Sequence, residues 1–182
     1  MDNLILTAIE AAETMKNAMN KKRAKTYEES SWREHEATFK AMLYHQLIES
    51  GLEFCRISME NSPVAPGNKD LESMRIDIWI DEEECNYFLE VKMFYVNPRT
   101  KGLRRINNEK GVLGDLRKLT KILTVRNDEN TFGTAIAVYN GSDDTIGFEY
   151  IRQRLDENVT NLLNRHVKLI VCANEKCEYV KN

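Results

Sequence analysis

The spacing of apolar and polar residues along the chain predicts a mixed α/β fold. Apolar side chains recur at helical intervals of three and four in residues 1–20, 31–50, 107–125 and 148–164. Strand-like apolar runs occupy residues 52–58, two stretches within 75–96, 132–140 and 167–173. The resulting order is helix, helix, three strands, helix, strand, helix, strand, which favours a mixed central sheet flanked by helices.

The first predicted helix carries one apolar stripe and is followed by a basic run. The stripe consists of Leu4, Ile5, Ala8, Ile9, Ala12, Met15 and Met19. The run NKKRAK, residues 20–25, is interpreted either as a solvated linker or as an arm that contacts phosphates. We therefore expect an N-terminal helix with a basic linker, residues 1–25, and a main domain, residues 26–182. The stripe also offers a surface through which two copies could form a homodimer.

The second helix is predicted to begin after Ser31, a suitable N-cap residue, and to end at Ser50, before Gly51. Its apolar stripe consists of Trp32, Phe39, Leu43 and Leu47. Glu36 lies on the same stripe, because it is four residues after Trp32 and three residues before Phe39. This spacing places an acid on the inward face of the helix.

The segment RIDIWIDEEECNYFLEVKMFYV, residues 75–96, reads as a hairpin that carries charges inside apolar strands. If the hairpin is symmetric about its acidic tip at Glu83 and Glu84, the numbers of paired residues sum to 167. Asp77 and Glu90 are then direct cross-strand neighbours, with Cβ atoms about 5 Å apart. Two carboxylates this close repel each other unless a cation offsets their charge. Alternation places Glu90 and Lys92 on a face with large aromatic residues, where buried acids need a partner such as a divalent cation. The alternative is an ordinary charge pair on an exposed strand face.

These residues resemble the active-site pattern of the PD-(D/E)XK nuclease superfamily, which includes restriction endonucleases and archaeal Holliday-junction resolvases. The pattern comprises Glu36 on an early helix, Asp77 on one strand, Glu90-Val91-Lys92 on the next, and a helix that contains GDLRKL, residues 114–119. The resemblance covers about residues 31–140 and implies the restriction-endonuclease-like αβββαβ core. One departure is that Ile76, rather than proline, precedes Asp77.

The resemblance implies a metal-dependent nuclease that hydrolyses phosphodiester bonds of DNA, leaving a 5′-phosphate and a 3′-hydroxyl. Asp77, Glu90 and the backbone carbonyl of Val91 would hold Mg²⁺ or Mn²⁺, and Glu36 would complete the ligand set directly or through water. Lys92 would orient the attacking water and offset phosphate charge. Such hydrolysis requires charge neutralisation at the phosphate and an activated water, which these residue types supply.

Lysine and arginine residues follow the predicted site and are candidates for contacts to nucleic acid. They are Lys101, Arg104 and Arg105 in the loop after the hairpin, and Lys118 and Lys121 on the next helix. Each is alternatively a solvated surface cation. Their concentration beside the acids, in a chain of net charge -3, favours a local phosphate-binding surface over a general nucleic-acid coat protein.

Composition limits the class of protein further. With 42% hydrophobic and 30% charged residues, the chain of 182 residues is expected to be globular. It has no apolar run of roughly 20 residues and no basic leader, so we expect a cytoplasmic protein with no membrane partner. The four cysteines, Cys55, Cys85, Cys172 and Cys177, are scattered and are expected to be reduced thiols.

Two alternatives to a deoxyribonuclease remain open from the sequence. One is an RNA endonuclease of the same fold, because discrimination of RNA depends on contacts to the 2′-hydroxyl. The other is a non-catalytic module that retains the fold and binds nucleic acid or protein. Stabilisation of the folded protein by metal ions would separate the module from either enzyme.

Overall fold

The computed structural model describes most of the chain from residue 32 onward. The described residues are 32–62, 71, 74–97, 99–139, 141, 145–173 and 176–180, together with Thr7, Glu10, Ala11 and Thr14. The side chains of residues 32–35 are outside this set. The predicted apolar stripe of the first helix, the basic run and the proposed division at residue 25 also lie outside the described residues. Ala11, which is helical, is buried against the core.

The described elements alternate between helices and strands in nearly the predicted order. The strands are β1 (Ile57–Asn61), β2 (Ile76–Asp81), β3 (Asn86–Val96), β4 (Leu103–Arg104), β5 (Thr131–Tyr139), β6 (Val167–Ala173) and β7 (Lys176–Tyr179). The α-helices are α1 (Trp32–Glu49), α2 (Val112–Arg126), α3 (Phe148–Arg152) and α4 (Glu157–Thr160), and a 3₁₀ helix spans Phe54–Arg56.

The strands of the described residues form one mixed sheet of seven strands. Its order is β1-β2-β3-β5-β6-β7, and the short β4 pairs with the end of β3. The pairs β3–β5 and β5–β6 are parallel, while the other neighbours are antiparallel. The predicted α/β class with a mixed sheet is therefore confirmed, and α1, β1, β2, β3, α2 and β5 follow one another in the predicted helix–three-strand–helix–strand order, with β4 inserted.

Two apolar cores, one on each face of the sheet, hold the site strands in place. On one face, Phe39, Leu43 and Leu47 of α1 pack with Leu89 and Val91 of β3. The other core contains Leu116 and Leu119 of α2 together with Phe88 and Phe94 of β3. Because β3 is covered on both faces, any polar side chain in its centre must find its partners inside the protein.

The structure corrects the boundaries of three predicted elements. The helix expected from residue 107 begins at Val112, because residues 105–111 form turns whose carbonyls accept hydrogen bonds from the first helical amides. The helix expected over 148–164 is divided into α3 and α4, and Asp156 caps α4 through the amide of Asn158. The first strand begins at Ile57, after the 3₁₀ turn, and not at residue 52.

The expectation of four reduced thiols is wrong for two cysteines. Cys172 of β6 and Cys177 of β7 are cross-strand partners and form a disulfide. The sequence analysis predicted no strand after residue 173, so it did not place these two cysteines opposite each other. Cys55 and Cys85 are free thiols. Among the helices of the described residues, none is long and apolar enough to cross a membrane.

Candidate active site

Asp77 and Glu90 are nearly fully buried and lie on adjacent strands. In the observed pairs Ile78–Leu89 and Trp79–Phe88 the two residue numbers sum to 167, so the predicted register of the hairpin is confirmed. The paired residues end at Ile78 and Leu89, and Asp77 and Glu90 are the residues just beyond them, with 6% and 2% of their surfaces exposed. Asp77 Oδ2 accepts a hydrogen bond of 2.7 Å from the Val91 amide, which ties the end of β2 to β3. Two buried acids therefore lie on adjacent strands, just beyond the paired part of the β2–β3 hairpin.

A lysine contacts each of these two carboxylates. Lys40 Nζ of α1 lies 2.5 Å from Asp77 Oδ1 and 3.2 Å from Glu60 Oε1. Lys118 Nζ of α2 lies 2.5 Å from Glu90 Oε1 and donates to the Arg75 carbonyl at 2.8 Å. The charge that offsets the buried acids thus comes from the two helices that flank the sheet.

Glu36 and Lys92 form a second group of charges beside the first. Glu36 Oε2 accepts hydrogen bonds from the Met93 amide at 3.2 Å and from Arg105 Nη1 at 2.9 Å. Glu36 Oε1 lies 3.5 Å from Lys92 Nζ, and Asp115 Oδ2 of α2 lies at the same distance from that ammonium. The structure therefore brings the predicted residues Glu36, Asp77, Glu90 and Lys92 into one region, where α1, β2, β3 and α2 meet.

Burial changes the pKa of several groups in this region. Burial, reinforced by the charge of Asp77, raises the pKa of Glu90 to about 8 against the opposing effect of Lys118. Burial also raises the pKa of Asp115 to about 6, against the lowering effects of Lys92 and Lys118. Burial lowers the pKa of Lys40, but Asp77 and Glu60 outweigh it, so the net shift is upward. Buried acids with raised pKa values are typical of functional sites.

The predicted nucleic-acid contacts divide into two groups. Lys101, Arg104 and Lys121 are exposed, as expected for residues that reach a phosphate backbone. Arg105 and Lys118 lie inside the site, where they contact Glu36 and Glu90 respectively. An open cleft of about 390 Å³ leads to this region and is lined by Glu36, Ala37, Lys40, Met59, Glu60 and Arg105.

The donor chemistry of the site fits a hard divalent cation. Asp77 and Glu90 supply carboxylate oxygens, which Mg²⁺ and Mn²⁺ prefer. Glu90 Oε1 and Asp115 Oδ2 are buried, and no group of the described residues directs a hydrogen bond at either oxygen. Lys118 Nζ forms an ion pair with Glu90 Oε1 at 2.5 Å. Across the described part of the chain, no three acidic, histidine or cysteine side chains are gathered around one point. Lys40 and Lys118 contact the carboxylates of Asp77 and Glu90, so an ion could bind both carboxylates only if the two lysines moved.

Sequence reasoning missed three residues of this site, which are Lys40, Glu60 and Asp115. Lys40 is four residues after Glu36, so helical spacing could have placed it on the same side of α1. Asp115 is the acid of the GDLRKL segment, three residues before Lys118. Glu60 carried no such signal, because its contact with Lys40 depends on how α1 packs across the sheet.

Comparison with known proteins adds little to this description. No protein-family model matches the chain, and no curated protein matches it. Among solved structures, SfsA of Pyrococcus furiosus in complex with Ca²⁺ is similar over 79% of this chain, with 11% sequence identity and a TM-score of 0.38. The chain spans 62% of the length of that SfsA structure. A likeness at this TM-score supports no inference, so the fold class rests on the sheet topology described above.

Proposed function

We propose that this protein is a metal-dependent nuclease of the PD-(D/E)XK type that hydrolyses phosphodiester bonds of DNA. The observation that carries the proposal is the pair of buried carboxylates on adjacent strands, Asp77 on β2 and Glu90 on β3, with Lys92 two residues after Glu90 on β3. Burying two acids together opposes folding unless their charge is compensated. A site that binds cations would compensate the charge of the two buried carboxylates and would account for their burial.

Asp77, Glu90 and the Val91 carbonyl would hold Mg²⁺ or Mn²⁺, with Glu36 completing the set directly or through water. When bound there, the ion supplies positive charge to the scissile phosphate and acidifies the attacking water. Lys92 orients that water and offsets developing charge on the phosphate. Attack of the water oxygen on phosphorus, in line with the P–O3′ bond, would form a new P–O bond as the P–O3′ bond breaks. The water would lose a proton to solvent and O3′ would gain one from solvent, which gives a 3′-hydroxyl and a 5′-phosphate.

Substrate binding is assigned to the cleft and to the exposed cations near it. Arg105 and Lys40 line the cleft together with Glu36 and would offer positive charge to a phosphate that enters. Lys101, Arg104 and Lys121 are exposed and would contact the backbone further along the strand. These contacts carry no base recognition of their own, so they predict binding that weakens with salt.

A non-catalytic binding module is the second candidate, and one observation favours it. Lys40 and Lys118 already offset Asp77 and Glu90, so the acids are compensated without a metal ion. A module of this kind would show no stabilisation by Mg²⁺ or Mn²⁺, whereas a protein that binds the ion only when folded is stabilised by it. Thermal unfolding with and without Mn²⁺ separates the two candidates.

The proposal is tested by incubating the protein with supercoiled plasmid, linear duplex, single-stranded DNA, branched DNA and RNA. Each substrate is assayed with Mg²⁺, with Mn²⁺ and with EDTA. We expect cleavage of DNA that depends on the ion. Cleavage confined to RNA would replace DNA by RNA as the substrate, and no cleavage of any substrate, joined to no stabilisation by Mn²⁺, would favour the binding module.

A further inference from the structure

Asp115 is a half-buried acid at the site to which the proposed reaction assigns no role. It lies in the first turn of α2, and 14% of its side chain is exposed. Its Oδ2 atom is 3.5 Å from Lys92 Nζ, and Glu36 Oε1 contacts the same ammonium at 3.5 Å. Lys92 is therefore held by one carboxylate from α1 and one from α2.

We propose that Asp115 is a positioning residue that fixes the ammonium of Lys92, an inference that rests on the proposed nuclease function. A lysine side chain has four flexible carbons and loses considerable conformational freedom when held in one place. Two carboxylates that contact the same ammonium restrict it more than one does. Placement of a catalytic group within about 1 Å strongly affects the rate of reaction.

The contacts of α2 with β3 explain why this role belongs to Asp115. On β3, Glu90 and Lys92 are two residues apart and share a face of the strand. On α2, Asp115 and Lys118 are three residues apart and are neighbours on the helix. The pairing is reciprocal, because the helix acid contacts the strand lysine and the helix lysine contacts the strand acid.

The start of α2 is built so that Asp115 has little freedom to move. The amides of Val112 and Leu113 donate to the carbonyls of Arg105 and Ile106, at 2.8 Å and 3.0 Å. A Cβ atom on Gly111 would lie 1.7 Å from the Arg105 carbonyl oxygen. On Gly114, a Cβ atom would lie 2.0 Å from the Glu109 carbonyl oxygen. Both glycines permit the first turn to pack directly on the preceding loop, which sets the position of the acid that follows.

The geometry argues for positioning rather than for metal binding by Asp115. Its Oδ2 atom forms an ion pair with Lys92 Nζ, the ammonium that the proposed reaction places at the attacking water. Asp77 and Glu90 instead contact Lys40 and Lys118. Loss of the Asp115 charge should therefore affect Lys92 and leave binding of the ion unchanged.

The first test is a double-mutant cycle that requires no enzymatic activity. Urea unfolding midpoints are measured for wild type, Asp115→Asn, Lys92→Met and the double variant, with Glu109→Gln as a control for an exposed acid on the preceding loop. If the two residues hold each other, the shift of the double variant differs from the sum of the single shifts. Additive shifts would overturn the proposal.

The second test uses cleavage kinetics and Mn²⁺ binding by calorimetry. For Asp115→Asn we expect kcat to fall about 10- to 100-fold, with the KM for DNA and the Kd for Mn²⁺ unchanged. Asp115→Glu, which keeps the charge, should recover part of kcat. An unchanged kcat, or a loss of Mn²⁺ binding as large as that of Asp77→Asn, would overturn the positioning role.

The two tests distinguish failure of this inference from failure of the nuclease proposal. If wild type cleaves no substrate, the nuclease function fails, and with it the role in catalysis, even where the cycle shows coupling. If wild type cleaves DNA while the cycle is additive, the nuclease function stands and the role of Asp115 is refuted.

Discussion

Burial of Glu90 in the sheet opposes folding when its carboxyl is charged. Glu90 is 2% exposed, and burial together with the charge of Asp77 raises its pKa to about 8. In the unfolded chain the same carboxyl has a pKa near its ordinary value of 4.5. The folded protein therefore retains a proton at pH values where the unfolded chain has lost it, even though Lys118 lies beside the carboxyl.

The first prediction is that the free energy of unfolding falls as pH rises from about 6 to about 8. The sign follows because the pKa of Glu90 is raised on folding, so its contribution is complete below the unfolded pKa and is lost as pH rises through the folded pKa. The raised pKa of Asp115 also lowers the free energy of unfolding as pH rises, and this effect is largely complete once pH exceeds the pKa of about 6. The pH dependence between about 6 and 8 therefore reports on Glu90. The loss should be on the order of 2 kcal/mol.

Chemical unfolding of wild type and Glu90→Gln at both ends of this window tests the prediction. The variant should lose most of the pH dependence, while Glu84→Gln, an exposed acid in the same hairpin, should keep it. A Glu90→Gln variant with the pH dependence of wild type would show that Glu90 is an ordinary carboxylate in the folded state.

The second prediction concerns the lysine that faces this acid. Lys118→Met removes the ammonium 2.5 Å from Glu90 Oε1 and leaves a buried acid without that counter-charge. We expect a loss of about 3 kcal/mol at pH 8, with a smaller loss at pH 5, where the carboxyl can hold a proton. Lys121→Met, an exposed lysine on the same helix, should change stability by less than about 0.5 kcal/mol. Equal effects of the two substitutions would mean that the Lys118–Glu90 contact contributes nothing.

At the scale of elements, the start of α2 determines whether the site is assembled. The helix carries both Asp115 and Lys118, and its first turn packs against the loop of residues 105–109 through Gly111 and Gly114. Displacement of this turn would therefore move two contacts of β3 at once, one to Lys92 and one to Glu90.

The third prediction is that Gly111→Ala destabilises the protein by about 1–3 kcal/mol, because the added methyl group would meet the Arg105 backbone. It should also reduce cleavage, since α2 must shift. Gly102→Ala is the control, as its added methyl group meets only Thr100 Oγ1 at 3.4 Å. Urea unfolding of both variants provides the measurement. A Gly111→Ala variant as stable as Gly102→Ala would contradict the close approach of α2 to the loop.

The β6–β7 hairpin gives the fourth prediction. Cys172 and Cys177 form a disulfide, so the denatured but unreduced protein should react with a thiol reagent at two positions, Cys55 and Cys85. After reduction, all four cysteines should react. Reduction should lower the free energy of unfolding by about 2 kcal/mol, because the bridge closes a short loop. Four reactive thiols before reduction would show that the bridge does not form.

The sequence predicted those features of the fold that depend on local pattern. The register of Trp79 with Phe88 followed from the symmetry of one hairpin, and the burial of Phe39 and Leu43 followed from helical spacing. The start of α2 did not follow from helical spacing, because residues 105–111 are held in turns by hydrogen bonds from the first amides of the helix. Asn107, Asn108 and Gly111 favour turns but do not specify where the helix begins.

The candidate site was predictable only in part, for a similar physical reason. Asp77, Glu90 and Lys92 belong to one hairpin, so alternation and register place them relative to each other. The contacts of Lys40 with Asp77 and of Lys118 with Glu90 depend on how helices pack on the sheet, across sequence separations that no periodicity specifies.

In the whole molecule, helices α1 and α2 and the sheet between them contribute charged side chains to one region. α1 supplies Glu36 and Lys40, β2 and β3 supply the buried acids and Lys92, and α2 supplies Asp115 and Lys118. The cleft beside this region is lined by both acidic and basic side chains. Such an arrangement is suited to holding a phosphate and a cation together, as the proposed nuclease reaction requires.

The proposed nuclease function is tested by comparing the nicking of supercoiled plasmid DNA by wild type, Asp77→Asn and Asp81→Asn with Mg²⁺ present. Asp81 is an exposed acid on the same strand as Asp77, so the two variants make the same chemical change in different surroundings. We predict that wild type and Asp81→Asn nick the plasmid, that EDTA stops both, and that Asp77→Asn lowers the rate by at least about 100-fold while remaining folded. Equal nicking by Asp77→Asn and Asp81→Asn would contradict the assignment of Asp77 and its neighbours as the catalytic centre.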